Sequence, residues 1–509
     1  MELERDRAAP WRRTWVTTPE SLFRVREPSP HSLTKRKESV NHGSVSFDDR
    51  FVLPEPLAGL RVNGPRLLQR ISDLGEIGPI RGVNGEPGSA RLALTDEDRA
   101  GRDLVTAWMG DLGLTVRIDA IGNVIGVRAA ADGSIANPVM TGSHIDTVRT
   151  GGLYDGNLGV LAGLEIIETL DTAGIATKRP IAAAFFTNEE GARFNPDMMG
   201  SLVYCGGMSA EDAYDVVGID GATVGDELKR IRYLGSTPCP GEAPYAFVEL
   251  HIEQGPVLEA ENIRFGAVTG VQGISWQELT ITGQSNHAGT TPMSLRHDAG
   301  YAAARITTFV RELALEMGHP HVGTVGQISL HPNLVNVVAA TAVITVDLRN
   351  TDESILVESE RRLTFFLGEL AISEGVTIES RVLARFEPVA FDERVIALVE
   401  HTIARLGNTG MRLPSGAGHD AQMLARMCPS AMIFTQSHKG ISHNPAEFTE
   451  PSDLVMGADL LLQVILTLSE TDLADSSATI PTASLTSTVP VIDVAVTHTA
   501  GVPDEQIAA

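Results

Sequence analysis

The chain is poor in cysteine, poor in basic charge and without a long unbroken apolar run, and each shortage removes a class of protein. Three cysteines, Cys205, Cys239 and Cys428, stand in 509 residues. A sparse, odd set gives no disulfide framework, so a reducing cytoplasm is the expected compartment. Forty Lys and Arg face 65 Asp and Glu, a net charge of −25. Nucleic acid and anionic membrane both need a basic surface, so neither is expected as a partner. A small anionic substrate stays open, because a few arginines in a pocket decide that locally. No uninterrupted apolar run reaches the roughly 18 residues that span a bilayer. The pair Arg12-Arg13 invites a twin-arginine export reading, but no apolar stretch follows it.

What is present is a hydrophobic content of 43%, enough for a real core, in a chain long enough for two or three domains. Residues 1–50 hold ten Lys/Arg and eight Asp/Glu with little apolar periodicity, and read as a disordered extension. The tail after about Asp472, rich in Thr, Ser, Ala and Pro, reads the same way, apart from a stray strand at Val489–Val496. Between them, strand and helix signals alternate. Pro138–Gly142, Ile181–Thr187 and Ala246–Leu250 are short apolar strands, and Leu158–Leu170 has helical periodicity. A continuous apolar run such as Ile181–Thr187 fits a strand buried on both faces of a mostly parallel sheet. The pattern then changes. Ile274–Thr282, His297–Met317, Val322–Leu330, Ala340–Leu348, Asp352–Ser373 and Val376–Val382 read as β-α-β-β-α-β, a ferredoxin-like unit. Alternation resumes with Glu393–Leu406, Ala421–Met427, Ala431–Thr435 and Asp453–Leu468. The expected architecture is an α/β domain of residues 56–270 and 383–472, interrupted by an α+β insertion over 271–382. Residues 1–55 and 473–509 would be extensions.

Five residues near strand ends stand out as metal ligands: His144, Asp155, Glu190, His251 and His443. Their spacings of 11, 35, 61 and 192 residues exclude a compact finger. Three imidazoles and two carboxylates suit a pair of zinc-like divalent ions, a common device for hydrolysis. His144 lies in Thr141-Gly-Ser-His-Ile-Asp-Thr147, beyond a strand's carboxyl end, where ligands of open α/β sheets bind. Asp146 can take the second imidazole N–H of His144 and fix its tautomer. Asp155 sits in a glycine-dense turn and can offer one oxygen to each ion; taken alone it would be an Asx turn or a helix cap. Glu189 and Glu190 leave an apolar strand side by side. Two such carboxylates repel unless a cation is near. Glu190 is assigned as ligand and Glu189 as the base that takes a proton from the attacking water. A lone histidine in the setting of His251 or His443 is more often structural, so those two rest on the set.

With these residues in place the chain resembles the hydantoinase/carbamoylase amidohydrolases of the M20 di-metal superfamily. The resemblance covers roughly residues 60–470. It rests on Gly142-Ser-His-Ile-Asp-Thr147, Tyr154-Asp-Gly-Asn-Leu-Gly159, Asn188-Glu-Glu-Gly-Ala-Arg-Phe194, His251-Ile-Glu-Gln-Gly-Pro256, Asn286-His-Ala-Gly-Thr-Thr-Pro-Met293, Gly416-Ala-Gly-His-Asp420 and Ser442-His-Asn-Pro445, in this order. It implies a di-metal aminopeptidase-like catalytic domain with an inserted lid and dimerisation domain. It implies two divalent ions per subunit, zinc, manganese, cobalt or nickel. One would be held by His144, Asp155 and His251, the other by Asp155, Glu190 and His443. It implies a strained peptide bond beside Asp155, and a homodimer in which His287 reaches the partner's active site and stabilises an oxyanion. Gln254, Asn336 and Arg349 would bind the substrate carboxylate, Arg349 through its planar fork. The implied reaction is hydrolysis of the ureido C–N bond of an N-carbamoyl amino acid to amino acid, CO2 and ammonia. Allantoate hydrolysis and an M20-type peptidase or deacylase are the rivals within the scaffold, and a non-catalytic binding protein the rival outside it. Three departures touch specificity rather than the metal set: the segment Asn195-Pro-Asp-Met-Met-Gly-Ser201, the missing proline in Asn336-Val-Val-Ala-Ala340, and Leu153 where a polar residue is common.

Overall fold

The computed structural model of the chain describes Leu53 and residues 57–473. The readings of residues 1–50, the Arg12-Arg13 pair and Val489–Val496 lie outside the described residues. Fifteen strands are described. β1 (Pro79–Arg81) and β2 (Pro87–Ser89) form a small antiparallel hairpin. β3 (Thr115–Ile118), β4 (Val124–Arg128), β5 (Val139–His144), β6 (Ile181–Phe186), β7 (Ala246–Ile252) and β8 (Phe265–Val271) precede the second sheet. That sheet contains β9 (Gly273–Thr282), β10 (Val322–His331), β11 (Thr341–Asn350) and β12 (Thr377–Phe386). β13 (Val389–Ala390), β14 (Gly410–Ser415) and β15 (Ser430–Thr435) return to the first.

The larger sheet has nine strands in the order β13-β8-β15-β7-β5-β6-β4-β3, with β14 beside β8. It was expected to be mostly parallel; it is mixed. Its centre, β15-β7-β5-β6, is parallel, but β8 runs antiparallel to β15 and β4 antiparallel to β6. The connections explain this. Parallel neighbours need a long crossover, usually a helix, and β5 reaches β6 through the helix Asn157–Thr172. β3 and β4 are separated only by a turn, with Gly122 at φ +85°. β5, β6 and β7 are buried at every position, as their unbroken apolar runs require. The helix Pro451–Glu470 is long and apolar enough by composition to cross a membrane, with a mean hydropathy of 1.5. It is a core helix instead: 83% of that window is buried, and its inner face meets β15, β7 and β5.

The second sheet is antiparallel throughout, in the order β10-β11-β9-β12. Two long helices, Ala299–Met317 and Glu353–Glu374, cover one face and share with it a separate core built on Leu279, Ile281, Ile306, Ile344, Leu363 and Leu367. Each helix starts where an aspartate caps it. Asp298 accepts from Gly300 N and Tyr301 N, and Asp352 from Ser354 N and Ile355 N. The second ends at Gly375 with φ +63°, a left-handed turn that glycine enters without strain.

Candidate metal centre

β5, β6 and β7 are neighbours in the parallel centre, so their carboxyl ends deliver residues to one crevice. His144 ends β5, His251 is the penultimate residue of β7, and Glu189-Glu190 follow the turn after β6. Asp155 comes from the glycine-rich turn before the helix Asn157–Thr172, and His443 from the loop after β15. The backbone must come close here. A Cβ on Gly156 would stand 2.4 Å from the His144 ring, and Gly156 adopts φ +64°. The bond between Asp155 and Gly156 is not cis; the local bend lies in that glycine and in a tight contact of 2.6 Å from Asn157 N to Asp155 O.

The five side chains converge as two groups that share Asp155. In one, His144 Nε2 is 3.6 Å and His251 Nε2 3.3 Å from Asp155 Oδ1. In the other, His443 Nε2 is 3.5 Å from Asp155 Oδ2 and 3.3 Å from Glu190 Oε2. Within each group the ligand atoms lie within 4.8 Å of one another. Nitrogen and oxygen ligands about 2.1 Å from a tetrahedral ion stand about 3.4 Å apart, so these separations fit a small divalent cation in each group. The imidazoles are also set for it. His144 Nδ1 donates to the Asp146 carbonyl at 2.9 Å and His251 Nδ1 to the Ile252 carbonyl at 2.9 Å. Carbonyls only accept, so each ring keeps its lone pair on Nε2. His251 Nε2 accepts the Gly156 amide at 3.1 Å.

The electrostatics show a shortage of positive charge. Asp146, Asp155, Glu189 and Glu190 make no ion pair with Lys or Arg among the described residues. Burial pushes Glu189 well above the usual carboxylate range, with His144 pulling it partly back. Burial and the Asp155 charge do the same to Glu190. For Asp155 burial is outweighed by the pull of the His144 and His251 rings beside it, which hold it well below its ordinary value. Burial would lower His144, but Glu189 and Asp155 raise it well above. A bound cation would favour the ionised form of carboxylates raised in this way.

Glu189 Oε2 is 3.2 Å from His144 Nε2, beside the first group and outside both ligand sets. Asp146 corrects the sequence reading. Its carboxylate does not take the second N–H of His144; its own backbone carbonyl does. The carboxylate instead accepts Glu189 N at 3.3 Å and Glu190 N at 3.4 Å, and so holds the backbone that carries both glutamates. The loop bends back after residue 144, which brings the carbonyl under the ring and sends the side chain across to the next strand's end.

The expected substrate residues are spread more widely. Gln254, at φ +55°, donates from Nε2 to Asp155 Oδ2 at 2.8 Å, and its Oε1 is buried without a partner. Arg349 is the penultimate residue of the second sheet's β11 and stacks over Trp276 at 5.6 Å. Its fork is held by Asp347 at 2.9–3.1 Å, and it donates to the Gly416 carbonyl at 2.5 Å. A carboxylate of its own chain therefore occupies the fork. His287 and Asn336 are exposed, on loops tied together by Ala288 N donating to Asn336 O at 2.9 Å. No hydrogen bond or ion pair joins either of them to the five-residue cluster among the described residues. Asp197, in the segment 195–201, packs against Gly191 near Arg349, and burial pushes it up to about 6.

Three groups near the cluster had no role in the sequence reading. Glu249 accepts Ser143 Oγ at 2.6 Å and Ala421 N at 2.9 Å. His419 pairs with Ser415 at 2.9 Å, and Asp420 is buried beside Ser201. Glu447 is buried against the Asp155 turn. The motif Gly416–Asp420 was the available signal for the second; Glu447 gave none beyond its place three residues after Asn444.

With this geometry in view, the chain can be compared with known proteins. Residues 140–467 match the model for peptidase family M20/M25/M40. An N-carbamoyl-L-amino-acid amidohydrolase of Rhizobium meliloti is 42% identical over 410 residues, 81% of this chain and 97% of that one. A ureidoglycolate hydrolase of Arabidopsis thaliana is 32% identical over 459 residues, 86% of this chain and 95% of the other. The crystal structure of an amidase of the hydantoinase/carbamoylase family from Burkholderia multivorans superposes with a TM-score of 0.77 at 41% identity, covering 81% of this chain and 99% of that one. The chain belongs to peptidase family M20/M25/M40 and, within it, to the hydantoinase/carbamoylase group of amidohydrolases.

Proposed function

We propose that the protein hydrolyses the ureido C–N bond of an N-carbamoyl amino acid, giving the amino acid, CO2 and ammonia. The observation that carries this is the pairing of two ligand groups on Asp155 with an additional carboxylate, Glu189, 3.2 Å from His144. The likeness to an N-carbamoyl-L-amino-acid amidohydrolase at 42% identity supports the choice of substrate. Enzymes of this family are metal-dependent, and the ligand groups fit that. In this reading His144, Asp155 and His251 hold one divalent ion, and Asp155, Glu190 and His443 the other. Zinc, manganese, cobalt and nickel all suit the N/O set. When bound, the ions polarise the scissile carbonyl and acidify water.

The chain's own residues do the rest. Glu189 takes the proton of the attacking water and returns it to the leaving nitrogen. Asp146 holds the Glu189-Glu190 backbone in place. Arg349 exchanges Asp347 for the substrate carboxylate when the inserted unit closes as a lid, with Asn336 and Gln254 completing the contact. His287 stabilises the oxyanion, from the partner subunit of a homodimer. The expected compartment is the cytoplasm, in keeping with three free thiols. A second reading, favoured by the likeness to a ureidoglycolate hydrolase, makes a ureido acid of that kind, or allantoate, the substrate. Ammonia release from N-carbamoyl-L-amino acids, ureidopropionate and allantoate, and free amino acid release from dipeptides, measured side by side after reconstitution with each metal, test the proposal. Cleavage of dipeptides alone would sink it.

A further inference from the structure

The two oxygens of Asp155 keep different company. Oδ1 faces His144 and His251, which are almost completely buried and come from adjacent strands. Oδ2 faces His443, whose side chain is 51% exposed and whose backbone sits at φ +53° on a loop. A rigid sheet places the first pair of ligands. Something else must place His443.

The structure offers a buried carboxylate for that task. Glu447 is 6% exposed and lies four residues beyond His443. Its Oε1 accepts the amides of Tyr154 at 3.0 Å and Asp155 at 3.3 Å. Its Oε2 lies 3.1 Å from the Ser442 hydroxyl, which is also 3.0 Å from Asp155 Oδ2. One hydroxyl proton therefore stands between the two carboxylates, on the side of Asp155 that faces His443. Gln254 Nε2 holds the same Oδ2 at 2.8 Å. The turn is shaped to admit Glu447: a Cβ on Gly152 would stand 2.2 Å from its Oε1. The loop has further ties: Thr150 Oγ1 donates to the His443 carbonyl at 3.0 Å, Gln254 Nε2 to Ser442 Oγ at 3.3 Å, and Glu259 accepts Lys439 N at 2.7 Å.

We propose that Glu447 is a positioning residue which, through Ser442, latches the His443 loop to the Asp155 turn and sets the affinity of the Asp155–Glu190–His443 site, leaving the His144–Asp155–His251 site to the sheet. This rests on the reading that both groups hold ions. The two sites are then unequal by construction. One is built on three buried side chains, and the other depends on a loop that Glu447 fastens beside His443. Outer contacts of this kind are typically worth about 10–100-fold in metal affinity.

Calorimetric titration of zinc into the full chain, stripped by chelator, reads both sites without reference to activity. The wild-type chain should take up two ions, and His443→Ala should identify the step that belongs to the loop site. Glu447→Gln and Ser442→Ala should weaken that step by about 10–100-fold, with the other step changed by less than about 2-fold. Equal weakening of both steps, or no change in either, overturns the latch. A wild-type chain that binds fewer than two zinc ions overturns the two-ion reading itself, and the latch with it. Should Glu447→Gln fail to unfold cooperatively, Ser442→Ala carries the same test, since it removes the connecting hydroxyl and leaves the buried carboxylate on its two amides.

Discussion

The two sheets treat their polar residues in opposite ways. In the nine-stranded sheet β5, β6 and β7 are buried on both faces, so a His or Glu at a strand end must find its partners inside the protein. That is why the ligand groups, Glu189 and Asp146 are wired to one another and to backbone at fixed distances. In the four-stranded sheet one face is covered by helices and the other is open, with Val343 exposed on it. His287, Asn336 and Arg349 belong to that unit and are exposed or held by local partners. Under the proposed function, the contrast separates chemistry, set in the buried sheet, from recognition, carried on the more exposed unit.

Removing metal breaks the contrast most severely. Chelation should reduce turnover to background, and a divalent ion should restore it, because the cluster carries two ligand groups that suit divalent ions; ammonia release measures this. Next comes stability. Phe185→Ala in the buried β6 should cost about 3–5 kcal/mol in denaturant unfolding, as truncation of a fully buried aromatic does. His287→Ala should lower kcat about 10²–10³-fold, the loss typical of an oxyanion donor, with metal content unchanged. Arg349→Ala should act on KM more than on kcat and lower kcat/KM by about 10–100-fold, the worth of a charged hydrogen bond. Val343→Ala, on the open face and 36% exposed, should change unfolding by less than about 0.5 kcal/mol. If Val343→Ala proved as costly as Phe185→Ala, the open face would be buried in the working protein.

Much of the buried frame was legible. Ile181–Thr187 is an unbroken apolar run that ends in two glutamates, and only a strand buried on both faces has that pattern. The β-α-β-β-α-β order of the insertion followed from a change of period in the same way. Other features depend on geometry that residue types do not carry. Whether His144 donates to the carboxylate or the carbonyl of Asp146 is decided by backbone angles two residues on. The mixed direction of the larger sheet comes from the short connections at its flanks. That Arg349 rests on Asp347 follows from two side chains on one face of β11, where alternation puts residues two apart together. Glu447 reads as one more loop acid until the fold lays it under the Asp155 turn.

The central claim is that a complete hydrolytic centre lies in the buried sheet, with Glu189 as its base. Glu189→Gln tests it most directly, with turnover of an N-carbamoyl amino acid and bound metal measured on the same sample. The account predicts a fall in kcat of about 10²–10⁴-fold, the usual worth of a general base, with the full wild-type complement of metal retained. Turnover near the wild-type rate with metal in place would contradict it.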